Sequence, residues 1–172
     1  FFSSILGLMS PSFGLADKKD DFINQLLPSI SAINTEITNQ RQHLLQLYNK
    51  HKTLALSPVD RHWLFKLAAE YKITQPDFKF EKTWIELKKK VDIIPPTLAI
   101  AQAATESGWG SSRYARLANN YFGQSCFKVG CGMKPKTKKS WPYYEAASFH
   151  SVDDAVRSYI NNLNTHTAYK EL

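Results

Sequence analysis

The chain has 172 residues, of which 43% are hydrophobic and 13% aromatic, with a formal net charge of +7 and a pI near 9.4. This length and apolar content suit one domain with a single core, and seven glycines with 22% charged residues argue against a disordered chain. The positive charge predicts an anionic partner such as a polymer or a lipid surface, and no recognition helix or aromatic motif indicates nucleic acid.

Residues 1–16 are apolar and too short to span a bilayer. They end with Gly14 and Ala16, which have the spacing of a signal-peptidase site, so we interpret them as the remnant of a secretory signal. A lipid-facing anchor or an amphipathic helix is the alternative. We therefore expect an exported protein of the periplasm or cell envelope. Residues 17–172 form its single domain, with a helical extension over about 17–56.

Three helices are predicted from apolar residues that recur every three or four positions. The first is long, follows Pro28 and has the stripe Ile30, Ile33, Ile37, Arg41, Leu44 and Tyr48. The second is opened by Ser57-Pro58 and carries Trp63, Leu64, Leu67, Ala68 and Tyr71. The third contains Trp84, Leu87, Lys88 and Val91, and its three consecutive lysines suit the negative end of a helix dipole.

A fourth helix is predicted to start at Pro95-Pro96 and to end at Gly108, a residue suited to the left-handed position after a helix. Uncharged residues occupy every face of this helix, so we expect it to be buried on most sides, with Glu106 at its end. Loss of water and the helix dipole would then both favour a protonated Glu106, as a general acid for glycoside cleavage requires. A structural ion pair with Arg113 or Arg116 is the alternative.

A short fifth helix over about 112–118 precedes residues 121–148, whose proline, glycine, aromatic and β-branched residues predict a small β-hairpin lobe. In this lobe Cys126 and Cys131 are close enough in sequence for a bond between them to close the hairpin, and we expect a disulfide in an oxidising compartment. A zinc site that borrows His62 or His150, or a pair of free thiols, is the alternative. We predict no metal and no cofactor.

A sixth helix is predicted to open at Ser151, where Ser151-Val152-Asp153-Asp154 resembles a capping box. Its apolar stripe consists of Val152, Ala155, Val156, Tyr159, Ile160 and Leu163. Six helices and one small lobe predict a mainly α fold.

The run AQAATESGWGSSRYARLANNYFG, residues 101–123, resembles the catalytic-helix signature of bacterial peptidoglycan N-acetylglucosaminidases of glycoside hydrolase family 73. The resemblance is strongest to the Bax-type proteins and to the glucosaminidase domain of flagellar cell-wall hydrolases. It rests on Glu106-Ser107-Gly108-Trp109-Gly110, on Asn119-Asn120-Tyr121-Phe122-Gly123 and on residues 159–169, and it extends upstream through residues 60–71. It implies a lysozyme-like α+β fold in which helices and a β-hairpin lobe flank a cleft.

The resemblance also implies catalytic roles. Glu106 matches the family's catalytic acid. Glu145 matches only by its location a second carboxylate in the β lobe, which would activate water or steady the oxocarbenium ion. An exposed strand acid beside the lysine-rich run of residues 134–139 is the alternative for Glu145.

Four aromatic residues are candidate sugar-binding residues. Tyr121 and Phe122 match the family's aromatic turn, and Tyr169 matches its tyrosine after the last helix. Trp109 follows the helix break, where it would pack beneath the acid and exclude water, as a tryptophan does in lysozyme. Core packing is the alternative for such residues.

The predicted function is that of an endo-β-N-acetylglucosaminidase that cuts the GlcNAc-β-1,4-MurNAc bond of peptidoglycan. Glu106 would donate a proton to the leaving oxygen, and Glu145 or the N-acetyl group of the substrate would assist water. A lytic transglycosylase with 1,6-anhydro-muramic products and a non-catalytic wall-binding module are the alternatives. The expected partners of this monomer are glycan strands and, peripherally, the anionic envelope.

Overall fold

The computed structural model describes residues 13–135 and 144–166, with side chains from residue 17 onward. These ranges contain six helices: α1 (Phe13–His51), α2 (Pro58–Glu70), α3 (Glu81–Lys90), α4 (Pro96–Ser107), α5 (Arg113–Ala118) and α6 (Val152–Thr165). Three short strands lie between α5 and α6: β1 (Ser125–Cys126), β2 (Gly132–Met133) and β3 (Glu145–Ala147). The predicted mainly α, lysozyme-like fold with a small β lobe is confirmed.

The segment interpreted as a secretory signal lies mostly outside the residues that the structure describes. Residues 1–12 are not among the described residues, and residues 13–16 form the start of α1. Within the described ranges, no helix combines the length and the apolar character needed to cross a bilayer.

The long first helix does not begin after Pro28, as the sequence suggested, but runs through it. The proline removes one backbone N–H, so the carbonyl of Asn24 has no helical donor four residues later. Asn24 and Pro28 are both exposed, and water can hydrate a carbonyl on the solvent side of a helix. Leu26 and Ile30 are fully buried on either side of the proline, so tertiary packing keeps the helix continuous.

Side-chain caps fix the predicted starts of α2 and α6. Ser57 Oγ accepts a hydrogen bond from the Asp60 amide, and the Asp60 carboxylate accepts one from the Ser57 amide, each at 3.1 Å. Ser151 Oγ accepts from the Asp154 amide at 3.1 Å. These bonds satisfy amides that the first turn of a helix leaves unpaired.

The core surrounds α1, which packs against α3, α4 and α6. Its fully buried members include Leu26, Ile30, Leu44, Trp84, Leu87, Ala103 and Val156. Burial of each large apolar side chain contributes about 1.5–3 kcal/mol. Because α1 contacts α4 directly, the first helix determines where the helix that carries Glu106 lies.

The β lobe is a three-stranded antiparallel sheet in the order β1-β3-β2, rather than a simple hairpin. Ser125 pairs with Ala146 on one side of β3, and Gly132 pairs with Ala147 on the other. A Cβ at Gly132 would stand 1.9 Å from the Ala146 carbonyl oxygen, so only glycine allows β2 to approach β3 this closely.

A disulfide joins Cys126, in β1, to Cys131, just before β2. It confirms the expected pairing over the zinc and free-thiol alternatives. Both strands that it connects lie at the edges of the sheet, so the bond closes the loop that links them.

Candidate active site

Glu106 lies in the last turn of α4, and its side chain is exposed. The helix ends at Gly108 with a φ of 57°, as the sequence predicted. The expected burial on most sides is wrong, because only Ala99, Ala103, Ala104 and Ser107 are buried. The helix packs against its neighbours through this narrow face, and the remaining surface meets solvent. An uncharged surface therefore did not mean a buried one.

A cavity of about 270 Å³ opens beside Glu106. Its lining residues are Glu106, Ser112, Tyr114, Asn120, Gly123, Ser125, Pro135, Tyr144 and Ala146. Its volume is close to the lower limit of small-molecule sites, about 300 Å³, so it suits a short segment of a longer chain. Glu106 is the single charged residue in this lining, as far as the structure describes the chain.

The carboxylate of Glu106 lies against the backbone of Gly123. A Cβ at Gly123 would stand 2.8 Å from Glu106 Oε2 and 3.8 Å from Glu106 Cβ. Gly123 has a φ of 63°, a conformation that side chains with a Cβ rarely adopt. The glycine of the second motif thus leaves space for the acid of the first. No ion pair joins Glu106 to Arg113 or Arg116, all three being described residues.

Two asparagines set the course of the chain between α5 and Gly123. Asn119 ends α5 in the left-handed conformation, with a φ of 50°. The Asn120 side chain is 2% exposed and donates to the carbonyls of Gln124 and Ala147, at 2.8 and 2.9 Å. Its Oδ1 also accepts from the Gln124 amide at 2.9 Å. Asn120 therefore ties this turn to β3, across the cavity from α4.

The strand β3 and the residue just before it, Tyr144, contribute alternate residues to the cavity. Tyr144 and Ala146 line it, whereas Glu145 and Ala147 are buried. This is the alternation of a β-strand, whose successive side chains point to opposite faces. Tyr144 was not among the candidate residues predicted from the sequence. The period-two rule would have found it if Ala146 had been recognised as a cavity residue.

Glu145 is 1% exposed, so the alternative of an exposed strand acid is wrong. Its carboxylate accepts hydrogen bonds from the amides of Gly130 and Gly132, at 3.2 and 2.8 Å. It also lies within 4.8 Å of the sulfurs of Cys126 and Cys131. These bonds fix the loop that the disulfide closes. A catalytic role for Glu145 stays a prediction.

The predicted sugar-binding aromatics have different surroundings. Trp109 is 42% exposed, and its ring packs edge-on against Phe22 with ring centroids 5.6 Å apart. Tyr121 and Phe122 are 5% and 8% exposed, and Phe122 stacks on Tyr159 at 4.0 Å. Burial of these two rings favours the core-packing alternative. Tyr169 lies outside the described residues.

Other residues at the cavity were not candidates in the sequence. Tyr114, Ser112 and Ser125 supply an aromatic ring and two hydroxyl groups to the lining. Ser112 also caps α5, where its Oγ accepts from the Ala115 amide at 3.1 Å. Serine at a cap is an ordinary feature of helices, so no signal in the sequence separated this serine from the others.

These features define the chain as a lysozyme-like protein: helices form the core, and an acid at a helix end faces a β lobe across an open cavity. Residues 81–172 match the glucosaminidase family, which is described as mannosyl-glycoprotein endo-beta-N-acetylglucosaminidase. The chain belongs to this family, as the motifs predicted.

One curated relative carries the similarity further upstream. Protein bax of Escherichia coli strain K12 is 36% identical over 152 residues, which cover 88% of this chain and 53% of that protein. The chain therefore spans about half the length of this curated relative. No solved structure matches the chain.

Proposed function

We propose that this protein is an endo-β-N-acetylglucosaminidase that hydrolyses the GlcNAc-β-1,4-MurNAc bond of peptidoglycan. The observation that carries the proposal is the position of Glu106, which is the single acid among the described residues of the cavity wall. Membership of the glucosaminidase family supports the type of bond. The hydroxyl, amide and aromatic groups of the remaining lining suit a polar sugar chain.

In the proposed reaction, the protonated carboxyl group of Glu106 donates its proton to the glycosidic oxygen. The bond between that oxygen and the anomeric carbon breaks, and the leaving sugar departs with a new hydroxyl group. Positive charge develops on the remaining sugar as an oxocarbenium ion. Water then adds to the anomeric carbon, and the proton that it loses restores the carboxyl group of Glu106.

The second group in this reaction is Glu145 or the N-acetyl group of the substrate. The alternation of β3 supports the N-acetyl group, because Tyr144 and Ala146 face the cavity and Glu145 is buried. Rescue by azide distinguishes these two candidate groups. If Glu145 acts directly on the anomeric carbon or its water, azide should restore activity to a Glu145→Ala variant, and the product should be a glycosyl azide. If the N-acetyl group acts, azide should restore nothing.

We further propose that the protein acts as an exported monomer in the periplasm or cell envelope. Peptidoglycan lies outside the cytoplasm, and a disulfide is stable in an oxidising compartment. The net charge of +7 would add a salt-sensitive attraction to anionic components of the envelope.

The test is mass spectrometry of the fragments released from purified peptidoglycan. The wild-type protein should release fragments with GlcNAc at the reducing end, and Glu106→Gln should release none. Glu86→Gln is the matched control, because Glu86 is an acid of α3 that pairs with Lys90 at 3.0 Å. Full activity of Glu106→Gln would overturn the assignment of the acid.

A lytic transglycosylase is the second candidate, because the single acid of the described cavity wall is what such an enzyme needs. It would release products with 1,6-anhydro-muramic ends, which differ in mass by one water molecule. Binding to peptidoglycan without any release of fragments would instead identify a wall-binding module. The same mass spectra and a pull-down assay with insoluble peptidoglycan distinguish the three.

A further inference from the structure

The N-terminal part of α1 contacts two chain reversals, here called turns, that hold Glu106 in place. One of these turns, residues 108–112, follows α4, and the other, residues 120–124, carries Gly123. The segment of α1 that contacts them lies well before residues 81–172, the part of the chain that matches the glucosaminidase family. Its role at the site is therefore not part of that match.

Phe22 contacts both turns at once. Its ring is 3% exposed and meets Trp109 edge-on at 5.6 Å and Tyr121 at 6.2 Å between ring centroids. A Cβ at Gly110 would stand 3.1 Å from Phe22 Cδ2. The ring is thus packed directly on the backbone of the first turn. Lys19, one helical turn earlier, places its Nζ 4.9 Å from the centre of the Trp109 ring.

A polar contact accompanies the packing. Gln25 Nε2 donates to the hydroxyl group of Tyr121 at 2.8 Å, and Tyr121 is 5% exposed. A phenol buried to this extent needs a partner, since an unpaired buried polar group is unfavourable. Tyr121 is two residues before Gly123. The hydrogen bond therefore fixes the segment that lies against Glu106.

The turn at residues 108–112 is joined to Glu106 through the end of α4. The Trp109 amide donates to the Ala104 carbonyl at 3.0 Å, and the Ser112 amide donates to the Ser107 carbonyl at 2.9 Å. Trp109 has a φ of 56°, a conformation that residues other than glycine adopt only where their surroundings hold them in it. Phe22 and Lys19 provide such surroundings.

We infer that Phe22 and Gln25 are positioning residues, which act through the turns at Trp109 and Tyr121 to hold Glu106 and Gly123 at their working distance. The inference rests on the proposed function for its effect on catalysis. Its structural part is independent of that function. Displacement of a catalytic group by about 1 Å lowers a rate roughly 100-fold, so small movements of these turns matter.

The test compares Phe22→Ala and Gln25→Leu with Leu44→Ala. Leu44 lies on the same helix and is fully buried, so its truncation destabilises the fold without touching either turn. Hydrogen exchange of the amides of residues 108–112 and 120–124 should accelerate in Phe22→Ala, under conditions where it and Leu44→Ala are equally folded. Leu44→Ala should leave exchange in these turns unchanged.

Kinetics on soluble peptidoglycan fragments give the second measurement. The value of kcat should fall about 10- to 100-fold in Phe22→Ala, with little change in KM, because Phe22 holds the acid and not the sugar. Gln25→Glu should recover the activity that Gln25→Leu loses, since the Tyr121 hydroxyl group can donate to a carboxylate. A purely structural role would not produce this recovery.

Equal effects of Phe22→Ala and Leu44→Ala on exchange or on kcat would overturn the inference. Faster exchange in the turns with an unchanged kcat would overturn it as well. If the wild-type protein cleaved no glycan, the proposed function would fail. The exchange comparison would still decide whether Phe22 and Gln25 hold the two turns.

Discussion

Glu106 and Gly123 are 17 positions apart in the chain, yet the carboxylate of one occupies the space where a Cβ of the other would lie. The distance from that Cβ position to Glu106 Oε2 is 2.8 Å. The two motifs around these residues are therefore parts of a single site, and the acid has its place only because residue 123 has no side chain.

Gly123→Ala should lower the rate of peptidoglycan cleavage by about 100-fold, because the new methyl group displaces the carboxylate. The positive φ of 63° should also reduce the free energy of unfolding by about 1–2 kcal/mol. Rates are measured by release of soluble fragments, and stability by urea unfolding.

Gly130→Ala is the matched control for Gly123→Ala. Gly130 has a φ of 80°, and a Cβ there would meet nothing within 4 Å. The Gly130→Ala variant should lose a similar amount of stability and keep its activity. Equal loss of activity in both variants would mean that backbone strain, and not contact with Glu106, is responsible.

Reduction of the disulfide should destabilise the β lobe by about 2 kcal/mol, the loop-closure value for so short a loop. The loop between Cys126 and Cys131 spans a sequence separation of 5. Thermal unfolding with and without dithiothreitol measures this difference. The Cys126→Ser/Cys131→Ser variant should unfold at one temperature in both buffers, and sensitivity of that variant to the reductant would show that another effect is at work.

Arg41→Met should reduce the free energy of unfolding by about 2 kcal/mol, a usual value for hydrogen bonds from a charged group. The Arg41 guanidinium donates to the carbonyls of Lys88 and Val91 at 2.6 and 2.7 Å, at the end of α3. Lys88 lies in the last turn of α3 and Val91 directly follows the helix, where carbonyls lack a helical donor. Urea unfolding provides the measurement.

Arg157→Met is the contrasting variant for Arg41→Met. Arg157 pairs with Glu36 at 2.7 Å, and the two side chains are 50% and 53% exposed. An exposed ion pair contributes less than about 1 kcal/mol. If Arg157→Met reduces the free energy of unfolding as much as Arg41→Met does, the hydrogen bonds of Arg41 to the end of α3 are not what stabilises the fold.

Low pH should destabilise the start of α2, because Asp60 becomes protonated. The hydrogen bonds from Lys50 and then Ser57 lower the pKa of Asp60 from 3.8 to about 2. Because the folded state favours the carboxylate, its stabilisation is complete above the ordinary pKa of 3.8 and is lost as the pH falls through about 2. Thermal unfolding across this range should therefore depend less on pH in Asp60→Asn than in the wild type.

Lys50→Met serves as the control for Asp60→Asn. It keeps the carboxylate and removes the partner at 2.7 Å, so the pKa of Asp60 should move back toward 3.8. The same dependence on pH in the wild type and both variants would show that Asp60 does not contribute to acid unfolding.

The sequence by itself determined the elements whose signals are local. Ser57 and Ser151 mark helix starts through bonds to amides three residues away, and Gly108 ends α4 because it accepts a left-handed conformation. The Glu106 motif and the cysteine pair were also visible in the sequence. Signals of this kind are complete within a few neighbouring residues.

Only the tertiary structure decided which faces meet. Pro28 lies inside α1 because apolar contacts on the far side of the helix outweigh one missing hydrogen bond. Tyr144 faces the cavity and Glu145 does not, because the pairing of β3 with both neighbours fixes its register. Phe22 reaches Trp109 and Tyr121 from a helix far earlier in the chain. Contacts between residues so far apart depend on how the helices pack, which no local pattern of residues specifies.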